Sequence, residues 1–128
     1  MKLLLDTCSF LWLISDDPAL SPKARSLFAS AEHSVHLSAA SMWEMLIKHR
    51  LGRLPLPMPA DRYLQQQRVA HGIEALAIDE AAVMHLHKLP DHHKDPFDRL
   101  LICQAIAHGM TLLTPDEHIA RYPVPVAW

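Results

Sequence analysis

Five short apolar runs recur along the chain: KLLLD (2–6), SVHLS (34–38), IEALAI (73–78), MTLLT (110–114) and PVPVA (123–127), with helix-forming stretches between them. Strands that stay apolar along their length sit in sheets covered on both faces, and strands separated by helices pair in parallel. The pattern therefore predicts an α/β fold with a mostly parallel sheet. Glycine punctuates it. Only three are present, and Gly52, Gly72 and Gly109 each close a helical stretch (SMWEMLIKHRL, YLQQQRVAH, DRLLICQAIAH), where a left-handed residue stops the helix. The prolines mark the remaining boundaries. Pro18 and Pro22 flank a break between helices at 7–15 and 22–31, and Pro55, Pro57 and Pro59 make an extended connector before a helix at 60–71. Pro90 closes a helix at 79–89, and Pro96 lies just inside the next helix. Pro123 and Pro125 confine the last run to a sheet edge.

A chain of 128 residues, half of them hydrophobic and 20% charged, buries one core, so residues 1–128 are expected to form a single domain. No apolar run approaches the ~18 residues of a membrane span, and Asp6 interrupts the only stretch that resembles a signal region. Two cysteines, Cys8 and Cys103, do not make a disulfide framework and suit a reducing, cytoplasmic setting. The net charge of −2 excludes binding to nucleic acid by bulk positive charge, but not a nucleic-acid enzyme with a local basic patch.

Open parallel sheets bind ligands beyond the carboxyl ends of their strands. Four acids fall where that rule points. Asp6 ends the first strand, and Glu44 lies in the helix after the second. Asp98 lies in the first turn of the helix that Pro96 opens, and Asp116 follows the fourth strand in LLTPD. Each also has a plain structural reading. Asp6 suits a helix cap. Ser41-x-x-Glu44 matches a capping box, and so does Asp95-Pro96-Phe97-Asp98. Asp116 suits a turn. Four acids meeting in one cleft demand either raised pKa values or a cation, and an all-oxygen set suits Mg²⁺ or Mn²⁺.

The segments LLLDTCSFLWL (3–13), LSAASMWEMLIKHRLGRLPLP (37–57), KLPDHHKDPFDRLLICQA (88–105) and LLTPDEHIARYPVPVAW (112–128) resemble, in order and over nearly the whole chain, the PIN-domain family, and within it the VapC-type toxin ribonucleases. The resemblance implies a three-layer α/β/α sandwich with a parallel sheet of four or five strands. It implies Mg²⁺-dependent endoribonuclease activity, Mn²⁺ being a possible substitute, that leaves a 5′-phosphate and a 3′-hydroxyl. It also implies neutralisation by a small cognate antitoxin, and a homodimer. Carried over by position, Asp6 and Asp98 would bind the metal, and Glu44 and Asp116 would complete the catalytic acids. Thr7 and Thr114 would orient carboxylates from behind. Cys8 departs from the pattern, standing where relatives often carry His or Asn.

Other residues bear on partners. Lys48, Arg50 and Arg53 cluster at a helix end, where they interact well with the helix dipole or contact RNA phosphates. Arg99 divides between ion pairing and phosphate contact. Trp12, Met42, Trp43 and Met45 are core material unless exposed, in which case they would line a groove for a partner helix. Ten histidines raise the question of zinc, but no HExxH or Cys-x-x-Cys spacing accompanies them. The alternative to an enzyme is a catalytically inert PIN-like module that binds RNA or protein. A phosphotransfer receiver lacks its late lysine here, since none follows Lys94. A haloacid-dehalogenase-like phosphatase would need Asp where Cys8 stands.

Overall fold

The computed structural model describes residues 1–128. Five strands, β1 (Lys2–Leu5), β2 (Ser34–Ser38), β3 (Glu74–Leu76), β4 (Thr111–Leu113) and β5 (Val126–Ala127), form one sheet in the order β3-β2-β1-β4-β5. Every pairing is parallel, with Leu4 opposite His36 on one side and Leu112 on the other. Seven helices connect and cover the strands: α1 (Thr7–Ile14), α2 (Pro22–Ala29), α3 (Ala39–Arg50), α4 (Ala60–Ala70), α5 (Glu80–Met84), α6 (Pro96–His108) and α7 (Glu117–Ala120).

Successive side chains of a strand point to opposite faces, and β1 shows the result. Leu3 and Leu5 enter a core with Phe10, Leu37, Met45 and Leu64, which packs α1 to α4 on one face. Leu4 enters a second core with Leu101, Ile102, Leu112 and Ile119, which packs α6 and α7 on the other. All three leucines are fully buried, each contributing about 1.5–3 kcal/mol of apolar transfer. A charge at Leu4 would open the second core at its centre. This is the three-layer α/β/α arrangement with an all-parallel, five-stranded sheet.

The glycine stops are as expected, with φ of 73°, 67° and 64° at Gly52, Gly72 and Gly109. Two expectations are corrected. The helix at 79–89 is α-helical only to Met84 and tightens to a 3-10 turn over His85–Lys88. Leu89 is extended because the ring of Pro90 disfavours helical geometry in the residue before it. The helix after β2 begins at Ala39, with Ser38 as its cap accepting from Ala40 N–H at 3.0 Å. Ser41 therefore lies inside the helix and makes no capping box with Glu44.

Candidate functional site

The chain runs from the central strand β1 outward through β2 to β3, then returns to the other side of β1 as β4 and β5. The reversal makes a crevice where β1 and β4 end side by side. Asp6 and Thr114 are the residues immediately past those two strands. Thr114 Oγ1 donates to Asp6 Oδ2 at 2.6 Å, and Ser9 N–H donates to Asp6 Oδ1 at 2.7 Å. Asp6 Oδ1 therefore caps α1, while Oδ2 is held by Thr114 beside the end of β4. Asp6 is only 6% exposed. Burial raises its pKa, the hydrogen bonds from Ser9 and Thr114 pull it down, and the charge of Asp116 raises it further.

Glu44 reaches the same region from α3. It is buried, with Thr7 Oγ1 donating to Oε1 at 2.6 Å and Lys48 Nζ to Oε2 at 2.6 Å. Lys48 lies one turn further on, and its pKa is raised chiefly by the hydrogen bond to Glu44. The cysteine at position 8 marks how near these groups lie. Burial of its thiol raises the Cys8 pKa, and the charges of Asp6, Glu44 and Asp98 raise it further against the opposing pull of Lys48.

Asp98 sits in the first turn of α6, which Asp95 caps by accepting the N–H groups of Phe97 and Asp98 at 2.9 and 3.1 Å. Its pKa rises from 3.8 to about 6. Burial is the main cause and the charge of Asp95 comes next, while Asp116 and Asp6 add to the rise and the hydrogen bond from His93 opposes it. Asp116 caps α7 by accepting His118 N–H at 2.8 Å, and its own N–H donates to Thr114 Oγ1 at 3.1 Å. The charge of Asp116 acts on both Asp6 and Asp98, so these three carboxylates share one field. Asp6, Asp98 and Asp116 thus feel one another's charge, Glu44 lies with Asp6 and Asp98 within reach of Cys8, and Thr7 and Thr114 each hold a carboxylate.

The donor set fits a hard divalent cation. All the acids offer oxygen, and the two whose pKa is raised, Asp6 and Asp98, are short of compensating positive charge. No three His, Cys, Asp or Glu side chains converge closely enough to grip an ion unaided. Mg²⁺ needs no such cage, because it keeps several waters and takes one or two carboxylates.

The basic residues divide. Lys48 is 47% exposed beside Glu44, and Arg50 and Arg53 are exposed at and just beyond the end of α3. Arg99, expected as a possible phosphate contact, is turned inward instead. Its side chain is 13% exposed and pairs with Asp91 at 3.1 Å. It also donates to the carbonyls of Pro90 and His93 and to the Tyr122 hydroxyl. Nη1 and Nη2 both serve to hold the 90–93 loop. His93, weighed only among possible zinc ligands, stands behind Asp98, and Tyr122, which no motif singled out, stands behind His93. Trp12 and Met42 are half-buried against the first core and Met45 lies within it, whereas Trp43 is 65% exposed. With Ile78, Phe97 and Leu100 it lines a shallow apolar hollow of about 460 Å³.

The PIN domain family matches residues 3–125 of the chain. Ribonuclease VapC16 of Mycobacterium tuberculosis (strain ATCC 25618 / H37Rv) is 36% identical over 63 residues, which is 49% of this chain and 45% of that protein. The match thus spans just under half the length of the curated relative. The fold is similar to that of VapBC2 from Rickettsia felis bound to a DNA fragment from their promoter, with a TM-score of 0.76 and 16% identity over 100% of this chain and 99% of that one. DNA-bound VapBC from Salmonella typhimurium gives a TM-score of 0.72 at 16% identity over 99% and 97%. FitAcB from Neisseria gonorrhoeae gives 0.58 at 20% over 97% and 95%.

Proposed function

This chain belongs to the PIN-domain family, and on that footing we propose that it is a Mg²⁺-dependent endoribonuclease, the toxin of a toxin–antitoxin pair. The observation that carries the reading is Asp6, buried just past β1 with its carboxylate held by Ser9 and Thr114, in the field that Asp116 exerts on it and on Asp98. An inert binding module has no use for two carboxylates held at raised pKa in one crevice.

Asp6 and Asp98 are the residues that would hold the ion. When bound, a divalent cation lowers the pKa of a water and offsets charge on the phosphoryl oxygens. The protein's own groups do the rest. Thr114 fixes the Asp6 carboxylate and Thr7 fixes that of Glu44, so neither has to reorganise during the reaction. Glu44 and Asp116 are the acceptors available for the proton of an attacking water or for water around the ion. Lys48, anchored on Glu44 yet half-exposed, offers positive charge to an RNA phosphate at the crevice mouth, and Arg50 and Arg53 extend it. Attack at phosphorus with the 3′-oxygen leaving yields a 5′-phosphate and a 3′-hydroxyl.

The known structures similar in fold are of VapBC assemblies and toxin–antitoxin complexes. We extend that pairing to this chain as a small cognate antitoxin that silences it. The exposed hollow around Trp43, on the helix that carries Glu44, is the candidate groove for a helix of that antitoxin, and a homodimer is a separate expectation from the family. No helix is long and apolar enough to cross a membrane, and the free thiols suit action in the cytoplasm, where the RNA is.

The test is cleavage of single-stranded RNA by purified protein with Mg²⁺, with EDTA and Asp6→Ala as controls. Cleavage abolished by both controls supports the enzyme. RNA binding without cleavage, indifferent to EDTA, would establish the inert module instead. Cleavage that persists in Asp6→Ala would reveal a contaminant.

A further inference from the structure

Tyr122 lies just beyond α7 and is 3% exposed. Its hydroxyl oxygen receives the backbone N–H groups of His92 and His93 at 3.2 and 3.1 Å and Arg99 Nη1 at 3.0 Å. A phenol oxygen has two lone pairs, so three converging donors use up its accepting capacity, and its own proton must be donated onward. The nearest acceptor is His93 Nδ1 at 2.9 Å, with the His93 carbonyl further away at 3.4 Å. A ring nitrogen that accepts a proton carries none, which puts the imidazole hydrogen of His93 on Nε2. That nitrogen faces Asp98 Oδ2 at 3.4 Å. The ring is held from a further side by His118, whose plane lies 13° from it with centroids 5.7 Å apart.

From this geometry we infer that Tyr122 and His93 form a positioning relay for Asp98. The Tyr122 hydroxyl fixes the His93 tautomer, and His93 Nε2–H sets the direction of the Asp98 carboxylate. Arg99 keeps the relay in register by tying the Pro90 and His93 carbonyls and the Tyr122 hydroxyl to one guanidinium. Both act through Asp98, His93 directly and Tyr122 through His93, and are positioning residues. The relay rests on the reading of Asp98 as an ion-holding acid. A short aspartate at a helix start has two rotatable bonds. An N–H aimed at one oxygen orients the carboxylate and leaves the other oxygen free. Partners of this kind behind a metal ligand typically change metal affinity 10- to 100-fold.

Two measurements test it. In metal-free protein at mildly alkaline pH, ¹⁵N NMR of the histidine rings should report His93 as the Nε2–H tautomer. Tyr122→Phe, which keeps the ring but removes the hydroxyl, should shift the His93 Nδ1 resonance through loss of its hydrogen bond. A wild-type His93 protonated on Nδ1 overturns the relay. Separately, Mn²⁺ binding followed by electron paramagnetic resonance should weaken about tenfold or more in His93→Ala. His93→Gln, which restores an N–H donor, should recover most of it. Thermal unfolding checks each variant, and if His93→Ala does not fold, His93→Gln and Tyr122→Phe carry the comparison. Folded variants with wild-type Mn²⁺ affinity overturn the relay while leaving Asp98 its role. A wild type that takes up no Mn²⁺ overturns the metal-nuclease reading instead, and the tautomer measurement still decides the relay.

Discussion

Replacing Asp98 by Asn should stabilise the metal-free protein while disabling it. The substitution keeps the shape of the side chain and an oxygen for His93 Nε2, and removes only the charge. In the folded chain the Asp98 carboxyl titrates at about 6, against 3.8 for an ordinary aspartate, with burial as the first cause and the charge of Asp95 as the second. That gap of 2.2 (6 − 3.8), at about 1.4 kcal/mol per pH unit, gives an upper bound of about 3 kcal/mol. The side chain is 21% exposed and its acidic neighbours titrate with it, so about 1–3 kcal/mol is expected. The sign follows from the direction. The folded state holds the proton more tightly than the unfolded one, so this contribution favours folding fully below about pH 4 and is lost as pH rises through about 6. In EDTA the two proteins should therefore unfold alike near pH 4. Above pH 7 the Asn variant should melt higher by roughly 4 °C for each kcal/mol. Adding Mg²⁺ should raise the wild type alone and narrow the gap, because a ligand stabilises only the protein that binds it. RNA cleavage by the variant should fall by about 100-fold or more, given the several kcal/mol a bound ion contributes. An Asn variant no more stable than wild type in EDTA above pH 7 would show that Asp98 carries no stored electrostatic cost.

Thr114→Val removes the O–H that Asp6 Oδ2 accepts at 2.6 Å. A hydrogen bond to a charged group is worth about 1.5–3 kcal/mol. Cleavage should therefore fall about 10- to 100-fold with a higher half-saturating Mg²⁺ concentration, and a Mg²⁺ titration of the cleavage rate reads both. Lys48→Gln should flatten the log–log salt dependence of single-stranded RNA binding by about 0.7; an unchanged slope assigns Lys48 to Glu44 alone. Trp43→Glu puts a charge on the hollow shared with Ile78, Phe97 and Leu100, and co-purification with the proposed antitoxin should lose the partner. A partner retained at the wild-type ratio would move its contact elsewhere.

What the sequence conveys depends on whether the information is local. The β1–α1 junction is legible because an apolar KLLL run, a carboxylate and a helical stretch sit consecutively, and Asp6 serves that junction and the crevice together. The glycine stops are legible for the same reason, since a positive φ is a local demand. The start of α3 is not, because Ser38 and Ser41 both offer capping hydroxyls, and the point where the backbone leaves the extended geometry of β2, at Ser38, rather than residue type decides between them. The inward turn of Arg99 and the relay behind Asp98 are the least legible. His93 and Tyr122 lie 29 residues apart, one in the loop before α6 and the other just beyond α7, and meet only in the folded chain. No spacing rule announces such a pair. Asp6 and Asp116 are easier to single out despite a similar separation, because they follow adjacent parallel strands whose ends share one edge of the sheet.

The stretch from Thr114 to Tyr122 braces both proposed ion-holding acids from behind, through Thr114 on Asp6 and through Tyr122 and His93 on Asp98. Inactivating lesions therefore need not fall on any group that meets RNA. In a selection for cells that survive expression of this chain, survivors should carry changes at Thr114 and Tyr122 alongside those at the carboxylates, and a catalogue of harmless alleles would trace the scaffold as faithfully as the chemistry.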